Sequence, residues 1–512
     1  MLLMPYLRRV RLPVVLLVFV VAAACAGPAP DAARPGTLVI AVGAEPDTLD
    51  PHRTTSDVAN EIGCLVGGSL VARDPQGRLV PGLAERWSAS DDGLTWTFTL
   101  RPGVRFHDGT PLRAQDYADT FRRARDPATA SPVAGDLLGP LLAATAPDDA
   151  TLVLALAERF APLLDNLAFC GYLQPLPARV DGRAPVGVGP YRFVEWRTGE
   201  RVVLARNADY TWGPEFAPGP RAIETVVYRF LPDRATRQVA LESGEVDVTV
   251  VAARDVARTE GDGGFRLYRA PLAGAAPLGV FNTSAAPFDD ERIRTAFDIG
   301  VDRDALIAVV AGGEAQVQHG PISRSVRGYW PGVERRADAY RPEEARRLLA
   351  EAGYGTANPL RVPLLVGSEH VADAEVLAEQ LRLIGVEITT DVVDAATGGQ
   401  RILAGEHRFA LVTITYPNAD VLHLLFHSTK GALPVARLAD PVLDGLLDAS
   451  RAAVDAAARR EALDRAQERI VARHVVLPLY TPTVVTAVAD RVTGVVVADS
   501  GRPLFHTATV PG

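Results

Sequence analysis

The sequence predicts an α/β protein of two or three domains. Three observations carry this. The chain has 512 residues, more than one core of ordinary size accommodates. Its 48% hydrophobic and 22% charged content is that of a globular protein with a sizeable core. Strand and helix patterns alternate: a strand at 226–230, a helix at 233–242 closed by Ser243-Gly244, then a strand entered through Glu245-Val246-Asp247-Val248. The net charge of -9 at pH 7 speaks against nucleic acid, and no basic stripe with interleaved aromatics is present. Lys430 is the only lysine.

The N-terminus reads as a targeting segment. Arg8, Arg9 and Arg11 precede the apolar run 14–24, which is too short to span a bilayer comfortably. Residues 1–24 are therefore expected to be a signal peptide, and 25–36, AGPAP-like in composition after Cys25, a flexible linker. No second stretch is long and apolar enough for a membrane span.

Downstream, Thr37–Val42 is a short apolar strand, and Pro46 and Pro51 keep the next segment out of helix. Residues 57–72 look helical, with Asp57 as candidate cap and Gly67-Gly68 as the break. Thr95–Leu100 alternates, with Trp96, Phe98 and Leu100 on one face. Arg101-Pro102-Gly103 and His107-Asp108-Gly109 are turns. Ala114, Tyr117, Ala118, Phe121 and Ala124 recur at helical spacing. Arg113 stands at that helix's N-cap, which should cost about 1 kcal/mol unless Thr110 or another group compensates. Further on, Leu278-Gly279-Val280-Phe281 is a strand and Asp290 caps a helix at 291–300. Pro342 sits in the first turn of another helix, with Glu343 and Glu344 favourable beside it. A helical stripe of Val376, Leu377, Gln380, Leu381 and Ile384 precedes the strand at 386–388, and a long helix spans roughly 453–474.

No catalytic site assembles by spacing. There is no G-x-S-x-G elbow and no Walker-type phosphate loop. The paired acids Asp91-Asp92 and Asp148-Asp149 fall in turn-rich, solvated segments. His423 and His427 stand one helical turn apart, a spacing that metal ligands use, but without the Glu of H-E-x-x-H. The expected arrangement is a helix with Leu422, Leu425 and Phe426 inward and both histidines at its edge, holding no metal.

Several motifs together resemble one family. Residues 79–121, the run Glu45-Pro46-Asp47-Thr48-Leu49-Asp50-Pro51, the return strand Gly187-Val188-Gly189-Pro190-Tyr191-Arg192-Phe193, residues 204–212 and Val476-Leu477-Pro478-Leu479-Tyr480 occur in order. They resemble the extracytoplasmic solute-binding proteins of family 5, which serve peptide, dipeptide and nickel ABC importers. The resemblance runs from Thr37 to Gly494. It implies a two-lobed clamshell of the periplasmic-binding-protein kind (type II-like), with a third subdomain inserted early. Residues 37–70, 187–270 and 481–512 would build lobe I, 71–186 the inserted subdomain, and 271–480 lobe II. It implies no enzyme activity and no cofactor, but a monomer that takes a peptide or another small solute between the lobes, working with a permease and an ATPase. Metal chelates, sugars and a sensor role without transport stay open.

Ala22-Ala23-Ala24-Cys25 resembles a lipobox, which makes Cys25 a lipidation site holding the protein outside the cell membrane; ordinary signal-peptidase cleavage is the alternative. An oxidising compartment permits a Cys64–Cys170 disulfide, against two buried thiols. Residues 415–420 occupy the place of the family's aromatic and acidic loop, whose Asp holds a peptide's α-ammonium. Here Tyr416 is kept, Asn418 stands near the expected acid, and Asp420 is the loop's carboxylate. Asp420 is either that counter-ion, or a helix cap in a loop that holds no amine. Arg324 and Arg327 lie in a loop that relatives thread past the cleft mouth, where an Arg meets a carboxylate by paired hydrogen bonds. Tyr329 and Trp330 follow as cleft wall or core.

Overall fold

The computed structural model describes residues 35–511 apart from 218, 220, 221, 336–339, 417 and 499. The signal-peptide and lipidation readings, Cys25 included, lie outside these residues. No described helix is long and apolar enough to cross a membrane.

Three sheets organise the described chain. The largest has eight strands, in the order 265–271, 480–489, 248–251, 37–42, 225–230, 201–206 and 191–197, with 315–317 added against 480–489. Its centre is the parallel pair of Thr37–Val42 and Thr225–Phe230, whose Val39 and Val227 face each other fully buried. A central parallel strand is covered on both faces and reads as a continuous apolar run, as TLVIAV does. A second sheet runs 386–393, 360–367, 409–415, 274–281 and 476–478. On one of its faces Phe281, Phe288, Phe297 and Phe409 pack as a cluster of stacked and edge-on rings. The third sheet is antiparallel, in the order 84–89, 95–100, 151–156 and 141–145, and the helix Ala114–Arg125 lies on it with Tyr117 and Phe121 fully buried. Two mixed α/β lobes and an antiparallel insert are the clamshell architecture.

The chain crosses between the two large sheets at 271–274 and again at 478–480. There the Leu272 amide donates to the Pro482 carbonyl at 2.9 Å, so the two crossings run side by side. A paired crossing of this kind allows one lobe to rotate on the other with few torsions changed.

Local details refine the expectations. Ser56, not Asp57, caps the first helix, its hydroxyl accepting the Ala59 amide at 3.3 Å. At Arg113 the missing cap is replaced from elsewhere. The Asp116 carboxylate accepts the Arg113 amide at 2.7 Å, and the Asp149 carbonyl accepts the Ala114 amide at 2.8 Å, while Thr110 is engaged with Asp108. Gly187 and Gly189 are required by close approach: a Cβ would lie 2.0 Å from the Val66 carbonyl oxygen and 2.3 Å from that of Gly67. The return strand thus presses its backbone against the end of the first helix.

Candidate functional site

Residues 320–330 form a loop beside the crossing, held from three sides. The Ser323 amide donates to the Gly274 carbonyl at 2.9 Å, and the hydroxyls of Ser323 and Ser325 donate to the Leu272 carbonyl at 2.8 and 3.2 Å. Gln467, fully buried on the helix Ala456–Ala472, donates to the Gly328 carbonyl at 2.8 Å and accepts the Trp330 amide at 3.1 Å. On the third side the Ala419 amide donates to the Arg327 carbonyl at 2.9 Å, and Asn418 forms a bridge with Arg327. Gly328 has φ +98° and faces Ala419 so closely that a Cβ would lie 2.6 Å from that of Ala419. The residues 418–420 and the loop 320–330 are therefore one unit.

A cleft of about 1200 Å³ opens beside this unit. All three bodies line it: Ile40, Glu61 and Tyr228 from the first lobe, Arg73 and Cys170 from the insert, Arg324 and Arg327 from the second lobe. Of the residues singled out in the sequence as ligand contacts, Arg324 and Arg327 line the cleft; the Arg324 guanidinium is paired with Glu334 at 2.7 Å. Tyr416, Asn418, Asp420 and Trp330 stand outside the lining. Asn418 is buried, accepts the Asp420 amide at 2.9 Å and faces Asn166 at 3.4 Å. Tyr416 is half-buried, with burial holding its hydroxyl well above the usual pKa. Trp330 lies over Gly332, whose Cβ would fall 2.1 Å from the indole.

Asp420 is only 3% exposed and is already matched. Arg451 donates Nε to Oδ1 and Nη2 to Oδ2, both at 2.8 Å, the paired geometry that guanidinium and carboxylate favour. The Asp420 side chain makes no cap to the helix Val421–Phe426. The sequence offered no signal for Arg451, nor for Arg73, Asp165 and Arg459, which gather nearby; in an arginine-rich chain no single arginine stands out.

The insert is fastened to both lobes. Toward the first lobe, Cys64 and Cys170 form a disulfide with Cα atoms 4.9 Å apart, and Arg123 grips buried Asp50 through Oδ1 at 3.0 Å and Oδ2 at 2.5 Å. Toward the second lobe, the Ala161 amide donates to the Arg451 carbonyl at 2.7 Å, and Asp165 meets Arg459 at 3.3 Å. The first junction is covalent and the second is ionic. Among the described contacts, opening the cleft on the second side breaks no covalent bond.

The histidines are inside the protein, not at a helix edge. The helix Val421–Phe426 is short, His423 and His427 are each 2% exposed, and their rings lie 4.6 Å apart. Asp448 joins them, all three ligand atoms within 4.8 Å. The amides of Thr429 and Lys430 donate to His427 Nδ1 at 3.3 and 3.1 Å, which leaves the ring proton on Nε2, 3.3 Å from Asp448. Lys430 takes the other Asp448 oxygen at 2.8 Å. His423 Nδ1 and His427 Nε2 are buried with no hydrogen-bond partner.

Burial, with Arg451 nearby, depresses the His423 pKa to about 4; burial, with Arg123 beside it, does the same for His52. Both are neutral in the folded protein near pH 6, while the unfolded chain binds their protons near pH 6.5. Acid therefore favours unfolding: stability is full above about pH 7 and falls as pH drops toward 4. By pH 5 the loss should be about 2 kcal/mol for each histidine. Chemical denaturation at pH 7 and 5 should show it, with His52→Gln reducing the difference. An unchanged midpoint between those pH values would contradict these assignments.

The cleft between two mixed α/β lobes, with few torsions to change at their crossing, defines a solute-binding protein of the clamshell class. Comparison of the sequence with known families agrees. The family described as bacterial extracellular solute-binding proteins, family 5 middle, matches residues 78–432, and the chain belongs to it. The family is one of binding proteins, not enzymes, and it acts outside the cytoplasm. Among relatives, the glutathione-binding protein GsiB of Pectobacterium atrosepticum is 30% identical over 71% of this chain and 70% of its own. The probable di/tripeptide-binding protein 5 of Pseudomonas aeruginosa is 28% identical over 93% of this chain and 96% of its own. Among solved structures, the periplasmic binding protein DppA from Helicobacter pylori, in complex with the peptide STSA, superimposes with a TM-score of 0.78. It is 26% identical and covers 93% of this chain and 98% of its own.

Proposed function

We propose that the protein captures a peptide-like solute between its lobes and delivers it to an ABC permease driven by a cytoplasmic ATPase. The cleft carries this reading. At about 1200 Å³ it exceeds the roughly 300–1000 Å³ of pockets for single small molecules, and it takes residues from both lobes and the insert. The relatives' named ligands, glutathione, di- and tripeptides and the peptide STSA, are of that size class. A solute touching both lobes favours the closed form, and the closed form docks on the permease. Residues 37–70, 187–270 and 481–512 act as lobe I, 71–186 as the insert and 271–480 as lobe II. Residues 1–24 are removed as a signal peptide, and Cys25 carries the acyl chains that tether a monomer by the linker 25–36 to the outer face of the membrane. In this reading Arg324 faces the solute, while Tyr416, Asn418, Asp420 and Trp330 act through the loop that they brace.

A second reading, a solute without an α-ammonium, is favoured by the pairing of Asp420 with Arg451. Thermal-shift screening with peptides of two to six residues and their N-acetylated forms separates the two. A peptide at 100 times its Kd should stabilise the protein by about 2.7 kcal/mol. Equal shifts with acetylated forms would show that the amine is not read. No shift with any peptide, and a non-peptide found in the co-purified protein by mass spectrometry, would overturn the peptide reading.

A further inference from the structure

At the seam between insert and second lobe, one carboxylate serves three guanidiniums. Arg73 Nη2 donates to Asp165 Oδ1, Arg459 Nη1 donates to Oδ2 at 3.3 Å, and Arg327 Nη2 lies 3.9 Å from Oδ1. The cluster has an excess of two positive charges. Asp74 and Asp420 offset it only in part, because Asp74 is bound by Arg78 at 2.7 Å and Asp420 by Arg451 on both oxygens. Arg459 Nε is buried without a partner, and among the described residues the Arg327 guanidinium makes no hydrogen bond. Burial and the two neighbouring cations lower the Arg73 pKa to about 10. Like charges held together away from bulk water are costly unless an anion joins them. Arg73 and Arg327 both line the cleft, so an anion in the cleft reaches them.

We propose that Arg73, Arg327 and Arg459 form a subsite for a carboxylate of the solute beyond a peptide's terminal one, which makes acidic short peptides the preferred cargo. The inference rests on the solute-binding reading above. A planar guanidinium matches a carboxylate by two parallel hydrogen bonds, and two such groups from opposite walls can share one anion. Arg73 comes from the insert and Arg327 and Arg459 from the second lobe. A bound carboxylate therefore relieves repulsion across the seam that closure creates, and it ties cargo chemistry to the closed form.

The test is calorimetry with alanine tripeptides carrying Glu or Gln at each position in turn, on the wild type and on Arg327→Gln. For one position, Glu should bind at least tenfold tighter than Gln, and the variant should narrow that ratio below threefold. Glu and Gln within threefold at every position, or a preference that persists in the variant, would overturn the subsite. If no tripeptide binds, the peptide reading fails separately, and glutarate decides the subsite. It should raise the wild-type Tm more than glutaramate does and more than it raises that of Arg327→Gln. No glutarate shift in the wild type would overturn it.

Discussion

Replacing Asp420 by alanine should destabilise the protein by about 3–5 kcal/mol, because it strands the Arg451 guanidinium at a half-buried seam. The cost comes from the uncompensated charge, not from the pair's net value. The double variant Asp420→Leu with Arg451→Met should therefore recover most of the loss, since apolar groups of similar volume replace a buried pair at little cost. Urea denaturation of the two single variants and the double variant measures the coupling. The outcome separates two roles. If Asp420 were the solute's counter-ion, Asp420→Ala would cost under about 1 kcal/mol in the empty protein and appear instead as weaker affinity for free amines. Phe160 and Ala161 of the insert lie against Arg451, with the guanidinium 5.5 Å from the Phe160 ring. The same substitution should thus loosen the insert from the second lobe.

The Cys64–Cys170 disulfide should supply about 5 kcal/mol, the second large effect. It closes a loop of 106 residues, and the loss of chain entropy in the unfolded state grows with loop length. Guanidinium denaturation of the wild type and of Cys64→Ser with Cys170→Ser gives the difference. Because the bridge pins the insert to the first lobe beside the cleft, its loss should also weaken solute binding. Two free thiols in the non-reduced protein, seen by mass spectrometry, would contradict the bridge.

Patterns local in sequence carried the scaffold. Alternation at 95–100, the apolar run 37–42 and the cap Asp290 each depend on residues within one turn or one strand, and each forms where its spacing places it. The site is another matter. Asp420 finds Arg451 31 residues later, and Asp165 finds Arg459 294 residues later. Nothing in the intervening chain marks those pairings, and with arginine supplying all cations but Lys430, no partner announces itself. The histidines teach the same lesson: their spacing was visible, but their burial against Asp448 was set by the packing of the helix Pro441–Ala452. At Arg113 the residue type pointed to a missing cap, and the compensation came from Asp116, three residues on, and from the distant Asp149 carbonyl.

The central claim is that this cleft binds a solute, short and peptide-like, without transforming it. Isothermal titration of the tightest peptide from the thermal-shift panel, with mass spectrometry of the mixture afterward, tests it most directly. One peptide should bind per chain and be recovered intact. Absence of heat with every peptide of two to six residues, or recovery of cleaved peptide, would contradict the account.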